Sequence, residues 1–149
     1  MALCSRLSRR PKHRPLRKPQ LSARDNHIEL WYVGGNNISN IDYIPDHKLT
    51  LPLYYSCDWD YDGLKIYERL QDRFARKSKS ITLLYPSPIL RKSVDSPEHN
   101  SRWKHDQPFS GLIRSAYSQE AISLIQDLIA QDEWGEEETC ELIEMVKLT

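Results

Sequence analysis

Asp58, Asp60 and Asp62 occupy alternate positions in the string CDWDYDG. Three carboxylates so closely spaced repel one another unless a cation neutralises them, and hard oxygen donors in a tight turn suit Mg²⁺ or Mn²⁺. The chemistry they offer is therefore that of a bound divalent ion. Gly63 lets the chain turn sharply straight after them. A single aspartate ahead of a helix has a plainer use: Asp60 or Asp62 could be an N-cap and satisfy orphan backbone N–H groups with no metal at all. A calcium loop of the form DxDxDG would need a helix before it and a bidentate acid six residues after Gly63. That position holds Arg69, which excludes the EF-hand.

The elements around the turn decide whether the acids converge. Leu51 to Cys57 (LPLYYSC) reads as a buried strand, with Pro52 tolerable only near its start or at an edge. After the acids, Leu64, Tyr67, Leu70, Gln71 and Phe74 recur near helical spacing, while Lys65, Arg69, Arg73 and Lys77 populate the other face. Ile81 to Tyr85 (ITLLY) reads as the next strand and breaks at Pro86 and Pro88. Strand, acidic turn, helix and strand form a βαβ unit, whose default is a parallel sheet. Ligands of such sheets sit beyond the carboxyl ends of the strands, where this turn falls. Upstream, His27 to Val33 (HIELWYV) reads as a strand stopped by Gly34-Gly35, and Asn36 or Ser39 could cap a short helical turn.

The string from Asp58 to Ile66 (DWDYDGLKI) resembles the DxDxxGxxI turn of Toprim domains. It is closest to the version in the A subunit of type IIB topoisomerase, its meiotic DNA-breaking relatives and the Toprim nuclease subunit of Wadjet-type plasmid-defence systems. Tyr32-Val33-Gly34-Gly35 resembles the Gly-containing turn of an upstream family strand, and ITLLYPSPIL takes the place of the next one. The likeness runs from about His27 to Leu90. It implies a small parallel-sheet, Rossmann-like α/β fold in which Asp58 and Asp60 are the paired ligands of Mg²⁺ or Mn²⁺, with Asp62 at a variable position. It further implies phosphodiester chemistry on DNA, in plasmid or phage defence or in DNA metabolism. The family also has an earlier strand ending in a glutamate. Here that space holds a basic, proline-spaced head, and Glu29 lies within a strand, where its side chain faces the sheet and not the loop edge. The implied alternative is a catalytically inactive Toprim-like module that binds DNA or a protein partner. A plain α/β domain whose acidic turn only caps a helix is the third reading.

Length and charge set the frame. The chain of 149 residues has room for one compact domain with flanking segments. Its net charge is zero, yet residues 1 to 24 hold eight Lys or Arg and no acid, and the stretch from Ser118 onward holds nine Asp or Glu and one Lys. Four regions are expected: a disordered basic arm over 1–26, a partial Toprim-like domain over 27–90, a loop-rich linker over 91–117 and an acidic helical hairpin over 118–149. Ser118 caps the first helix of the hairpin, with Ala121, Ile122, Leu124, Ile125, Leu128 and Ile129 inward. Glu136, Glu137 and Glu138 would open the second, where acids complement the helix dipole, ahead of Leu142, Ile143 and Val146.

The basic arm could contact nucleic-acid phosphates, and Lys65, Arg69 and Arg73 form a second basic patch on the helix face. Cys4, Cys57 and Cys140 show no paired spacing, so neither a disulfide framework nor a zinc site is indicated, and a reducing cytoplasm fits. Cys57 reads as a small core residue, because no GxSxG-like elbow surrounds it or Ser56. His13, His27, His47, His99 and His105 lack ligand spacing and read as surface or turn residues. No apolar run is long enough to span a membrane. Pro11, Pro15 and Pro19 would interrupt the amphipathic helix of an organellar transit peptide.

Overall fold

Four short strands lie parallel in one sheet of the computed structural model, which describes residues 2–4, 30–32, 38–137, 140 and 145. They are β1 (Ala2–Cys4), β2 (Leu30–Tyr32), β3 (Tyr54–Ser56) and β4 (Thr82–Leu83), in the order β2-β1-β3-β4. Ala2 pairs with Leu30 on one side and Tyr54 on the other, and Cys4 likewise lies between Tyr32 and Ser56. Tyr54 pairs in turn with Thr82. The chain is therefore of the α/β class expected from its sequence. Between β1 and β3 the strand order reverses, the kind of switch point beside which open α/β sheets place their ligands.

The inner strand β1 corrects the reading of residues 1–26 as a wholly disordered arm. Ala2–Cys4 precedes the first charge of the head, Arg6, and a short uncharged run suits a strand flanked on both edges. Composition averaged over the head hides those three residues. Residues 5–26, which carry all eight basic residues of the head and His13, lie outside the described residues.

Helix α1 (Tyr61–Ala75) follows β3 and begins where the acids end. Asp60 is its N-cap, with extended backbone (φ −125, ψ 175) and a side chain that accepts from the Gly63 N–H. Leu64, Tyr67, Leu70 and Phe74 are buried along one face, as their spacing requires, and removing each large apolar side chain from water contributes about 1.5–3 kcal/mol. Ser78 takes φ 56, and the Lys79 N–H reaches back to the Phe74 carbonyl at 2.9 Å, which ends the helix and turns the chain toward β4.

The stretch after β4 is integral to the core and is no linker. It supplies β5 (Leu90–Ser93) and 3-10 turns at Pro108–Gly111 and Arg114–Ala116. Val94, Trp103, Leu112 and Tyr117 are buried in the same cluster as Leu64, Phe74 and Ile125. Isolated large residues in a polar stretch act here as anchors that pin irregular backbone to the core. Helix α2 (Gln119–Gln131) is capped by Ser118, whose Oγ accepts from the Ala121 N–H at 3.2 Å. It buries Ala121, Ile122, Leu124, Ile125 and Leu128, the face its sequence marks out.

Beyond α2 a strand comes first, over residues that include Glu136, expected to open the second helix; most of that helix lies outside the described residues. Asp132, in the left-handed conformation at φ 52, turns the chain directly into β6 (Glu133–Glu136), which pairs antiparallel with β5 from Leu90–Glu136 to Ser93–Glu133. The reason is electrostatic as well as geometric. Glu133 meets Arg91 across the pair at 3.7 Å and Glu136 meets Lys92, so Glu136 finds a cation on a strand, while Glu138 lies outside the described residues. Leu142, Ile143 and Val146 lie outside the described residues, while Met145 is buried.

Candidate metal centre at the acidic turn

Parallel β3 delivers Asp58 to the carboxyl edge of the sheet two residues after Ser56, on a strand that flanks the switch point between β1 and β3. Trp59 then forms an isolated antiparallel bridge with Gly135 of β6: its N–H donates to the Gly135 carbonyl at 2.8 Å and its carbonyl accepts from the Gly135 N–H at 3.2 Å. Extended backbone alternates its side chains, so Asp58 and Asp60 fall on one side and Trp59 on the other. A Cβ on Gly135 would lie 3.2 Å from the Trp59 Cβ and 2.9 Å from Ile89 Cδ1, which accounts for glycine at the crossing.

Both acids are buried, Asp58 at 4% and Asp60 at 3% exposure. Asp58 Oδ1 accepts from the Glu137 N–H at 3.0 Å, and Asp60 Oδ1 accepts from the Gly63 N–H at 2.7 Å. The other Asp60 oxygen faces His99, whose Nε2 lies 3.7 Å from Oδ2. His99 is itself 2% exposed and stacks flat on Trp134, with ring centroids 4.2 Å apart. This corrects the reading of His99 as a surface or turn residue. Nothing in its sequence neighbourhood marks it, because the tryptophan that buries it is 35 residues away in β6.

Asp62 does not join the pair. It is exposed in the first turn of α1, where its backbone N–H donates to Ser101 Oγ at 3.0 Å. Of the expected basic patch, Arg69 is exposed. Lys65 instead bridges to Glu68 at 2.5 Å, and Arg73 donates to the Ile38 carbonyl at 2.8 Å with Asp42 at 3.4 Å. Those two cations therefore brace α1 against neighbouring segments as well as lining its outer face. Glu29 lies outside the described residues, and the head that follows β1 contains no acid up to Arg24.

No family model, no curated protein and no solved structure matches the chain. Its residues must speak for the site. Among the described residues no group of three or more His, Cys, Asp and Glu side chains is gathered for a metal. A donor set of two carboxylates excludes a closed structural zinc site, which needs four protein ligands. It fits Mg²⁺, which ordinarily takes one or two carboxylates and completes its octahedron with water and substrate phosphate.

A second buried polar cluster escaped the sequence reading. Glu68, on α1, is 4% exposed, and its Oε1 accepts from the Ile113 N–H at 2.6 Å and from the Tyr117 hydroxyl at 3.0 Å. Burial first, and the Glu68 carboxylate second, push the Tyr117 phenol far above its ordinary value, so it stays a neutral donor. Burial likewise raises Tyr67, whose hydroxyl accepts from Gln71 Nε2 at 2.7 Å. At helical spacing Glu68 falls between buried Leu64 and Phe74, a weak signal that a polar residue there needs partners from elsewhere in the chain.

Proposed function

We propose that this chain is a Toprim-like protein acting on DNA, with Mg²⁺ or Mn²⁺ held by Asp58 and Asp60. The observation that carries the reading is the burial of two carboxylates, one residue apart, at the carboxyl edge of a parallel sheet next to its switch point. Burying carboxylates costs several kcal/mol unless compensated, and a divalent cation shared by the two would add to the N–H bonds that they already accept. A bound ion would polarise a phosphodiester and stabilise charge on the attacking and leaving oxygens.

The chain's own residues supply the rest. Glu137 and Gly63 N–H groups fix one oxygen of each acid, and His99 lies against the second oxygen of Asp60. Arg69, with the outer parts of Lys65 and Arg73, offers the DNA backbone a positive flank along α1. A second reading, a Toprim-like module that binds DNA or a protein partner without cleaving, is favoured by the acid-free stretch after β1, where the family carries its glutamate.

Nicking of supercoiled plasmid in Mg²⁺ or Mn²⁺ tests the pair of readings. The proposal expects metal-dependent nicking that disappears in Asp58→Asn plus Asp60→Asn. DNA binding without nicking would replace it with the second reading. Among the described residues no helix is long and apolar enough to cross a membrane. A cytoplasmic setting belongs to the proposal.

A further inference from the structure

Every described Lys or Arg side chain but three is engaged within the fold. Lys65, Arg73, Arg91, Lys92 and Arg102 each meet an acid, Lys104 and Arg114 sit over the rings of Tyr61 and Phe109, and Lys48 and Arg69 are engaged as well. The three are Arg76, Lys77 and Lys79, and they lie together where α1 ends. From Arg69 to Lys79 the chain holds five cations against the single acid Asp72. Although Asp72 is one turn before Arg76, its carboxylate makes no ion pair there.

Cations near a helix C-terminus ordinarily complement its last carbonyls. Here the backbone satisfies those carbonyls itself: the Lys77 and Lys79 N–H groups both reach Phe74 and the Ser78 N–H reaches Ala75, each at 2.9 Å. The helix end is closed without the three side chains. Arg76 and Lys79 are exposed and Lys77 is half-buried. Three close cations without a counter-ion repel one another and draw in a partner that carries several negative charges.

The shape of the surface selects that partner. Arg69 and Arg76 are seven residues apart and so share the outer stripe of α1, which begins at exposed Asp62 beside the acidic turn. At about 1.5 Å per residue the helix is about 22 Å long. That is the reach of six or seven base pairs at about 3.4 Å each, not of a lone phosphate. The exposed positions of the stripe, Asp62, Arg69, Asp72 and Arg76, bear no aromatic ring. Single strands are held by stacking on rings, so this surface offers contact to a backbone alone, which suits a duplex. Asp62 and Asp72 keep the hold at the basic end.

We propose that Arg76, Lys77 and Lys79 grip the sugar–phosphate backbone of duplex DNA, without reading its sequence, at the end of α1 remote from Asp58 and Asp60. The choice of DNA rests on the function proposed above, while the grip itself needs no metal.

The test is equilibrium binding of the full chain, in EDTA and over a series of salt concentrations, to two unrelated duplexes of about 20 base pairs. Arg76→Gln, Lys77→Gln and Lys79→Gln together should weaken both duplexes about tenfold and flatten the slope of log affinity against log salt by about 2–3. A control with Arg91→Gln, Arg102→Gln and Arg114→Gln removes the same charge from cations that already have partners, and should change affinity by less than about threefold. None of the six side chains is buried. Equal losses in the two variants, an unchanged salt slope, or tighter binding of the corresponding single strand overturns the proposal. Binding by the parent that ignores the first variant overturns this grip alone, whereas no binding of any DNA by the parent overturns the DNA function with it.

Discussion

Trp59 and Gly135 exchange both of their backbone hydrogen bonds across 76 positions of sequence, which fastens the acidic turn to the last described strand. The residues on either side of Trp59 are the two buried aspartates, and the residue two beyond Gly135 donates its N–H to Asp58. The site is thus closed by β6. Its geometry depends on a segment whose own sequence reads as a helix start.

The Asp60 carboxylate serves both as helix cap and, in the proposed function, as metal ligand, and two substitutions separate the roles. Asn caps as well as Asp, so Asp60→Asn should leave the unfolding midpoint within about 0.5 kcal/mol of the parent while reducing Mg²⁺ affinity. Asp60→Ala should also lose about 1 kcal/mol of stability in urea. Equal Mg²⁺ titrations for the parent and Asp60→Asn would remove the metal from the site.

Gly63 is where the turn cannot accept a side chain. A Cβ there would lie 2.2 Å from the Asp58 carbonyl oxygen, a backbone atom that cannot swing aside. Gly63→Ala should therefore destabilise the chain by about 1–3 kcal/mol through forced backbone shift, read from chemical denaturation. An unchanged denaturation curve would mean that the turn is looser than its hydrogen bonds indicate.

Glu68 anchors irregular backbone to α1. Glu68→Ala strips acceptors from the Ile113 N–H, the Tyr117 hydroxyl and the Lys65 ammonium together, at an expected cost of about 2–4 kcal/mol in urea unfolding. Glu68→Gln keeps an acceptor and should cost less. If both were silent, the cluster would be incidental to the fold.

Tyr117 gives an alkaline signature. Its folded-state pKa is raised above the ordinary 10.0 by burial and by Glu68, so its neutral form is the one that folds. Its contribution is fully present below pH 10 and is lost above it, as the unfolded chain gains the option of ionising. Between pH 9 and pH 11 the parent should lose more stability than Tyr117→Phe, measured by denaturant midpoints at each pH. Parallel pH profiles would show that the phenol titrates freely.

His99 and Trp134 form a buried stack that holds the imidazole against Asp60. Trp134→Ala should cost about 3–5 kcal/mol, as for other buried tryptophans, and should also weaken Mg²⁺ binding by releasing His99. A loss of stability with metal affinity intact would restrict the stack to packing.

What the sequence determined by itself is local. The βαβ unit, the capping by Ser118 and by either Asp60 or Asp62, and the buried faces of α1 and α2 all follow from local spacings, because hydrophobic period and cap chemistry act over one or two turns; the structure chose Asp60. Only the tertiary structure decided that Ala2–Cys4 enters the sheet and that Glu133–Glu136 is a strand. It also decided that His99 and Glu68 are buried, and that Asp58 is bonded by Glu137 while Asp62 faces outward. Each of those outcomes rests on partners from tens of residues away, and a short acidic or uncharged run carries no period that would reveal such a partner.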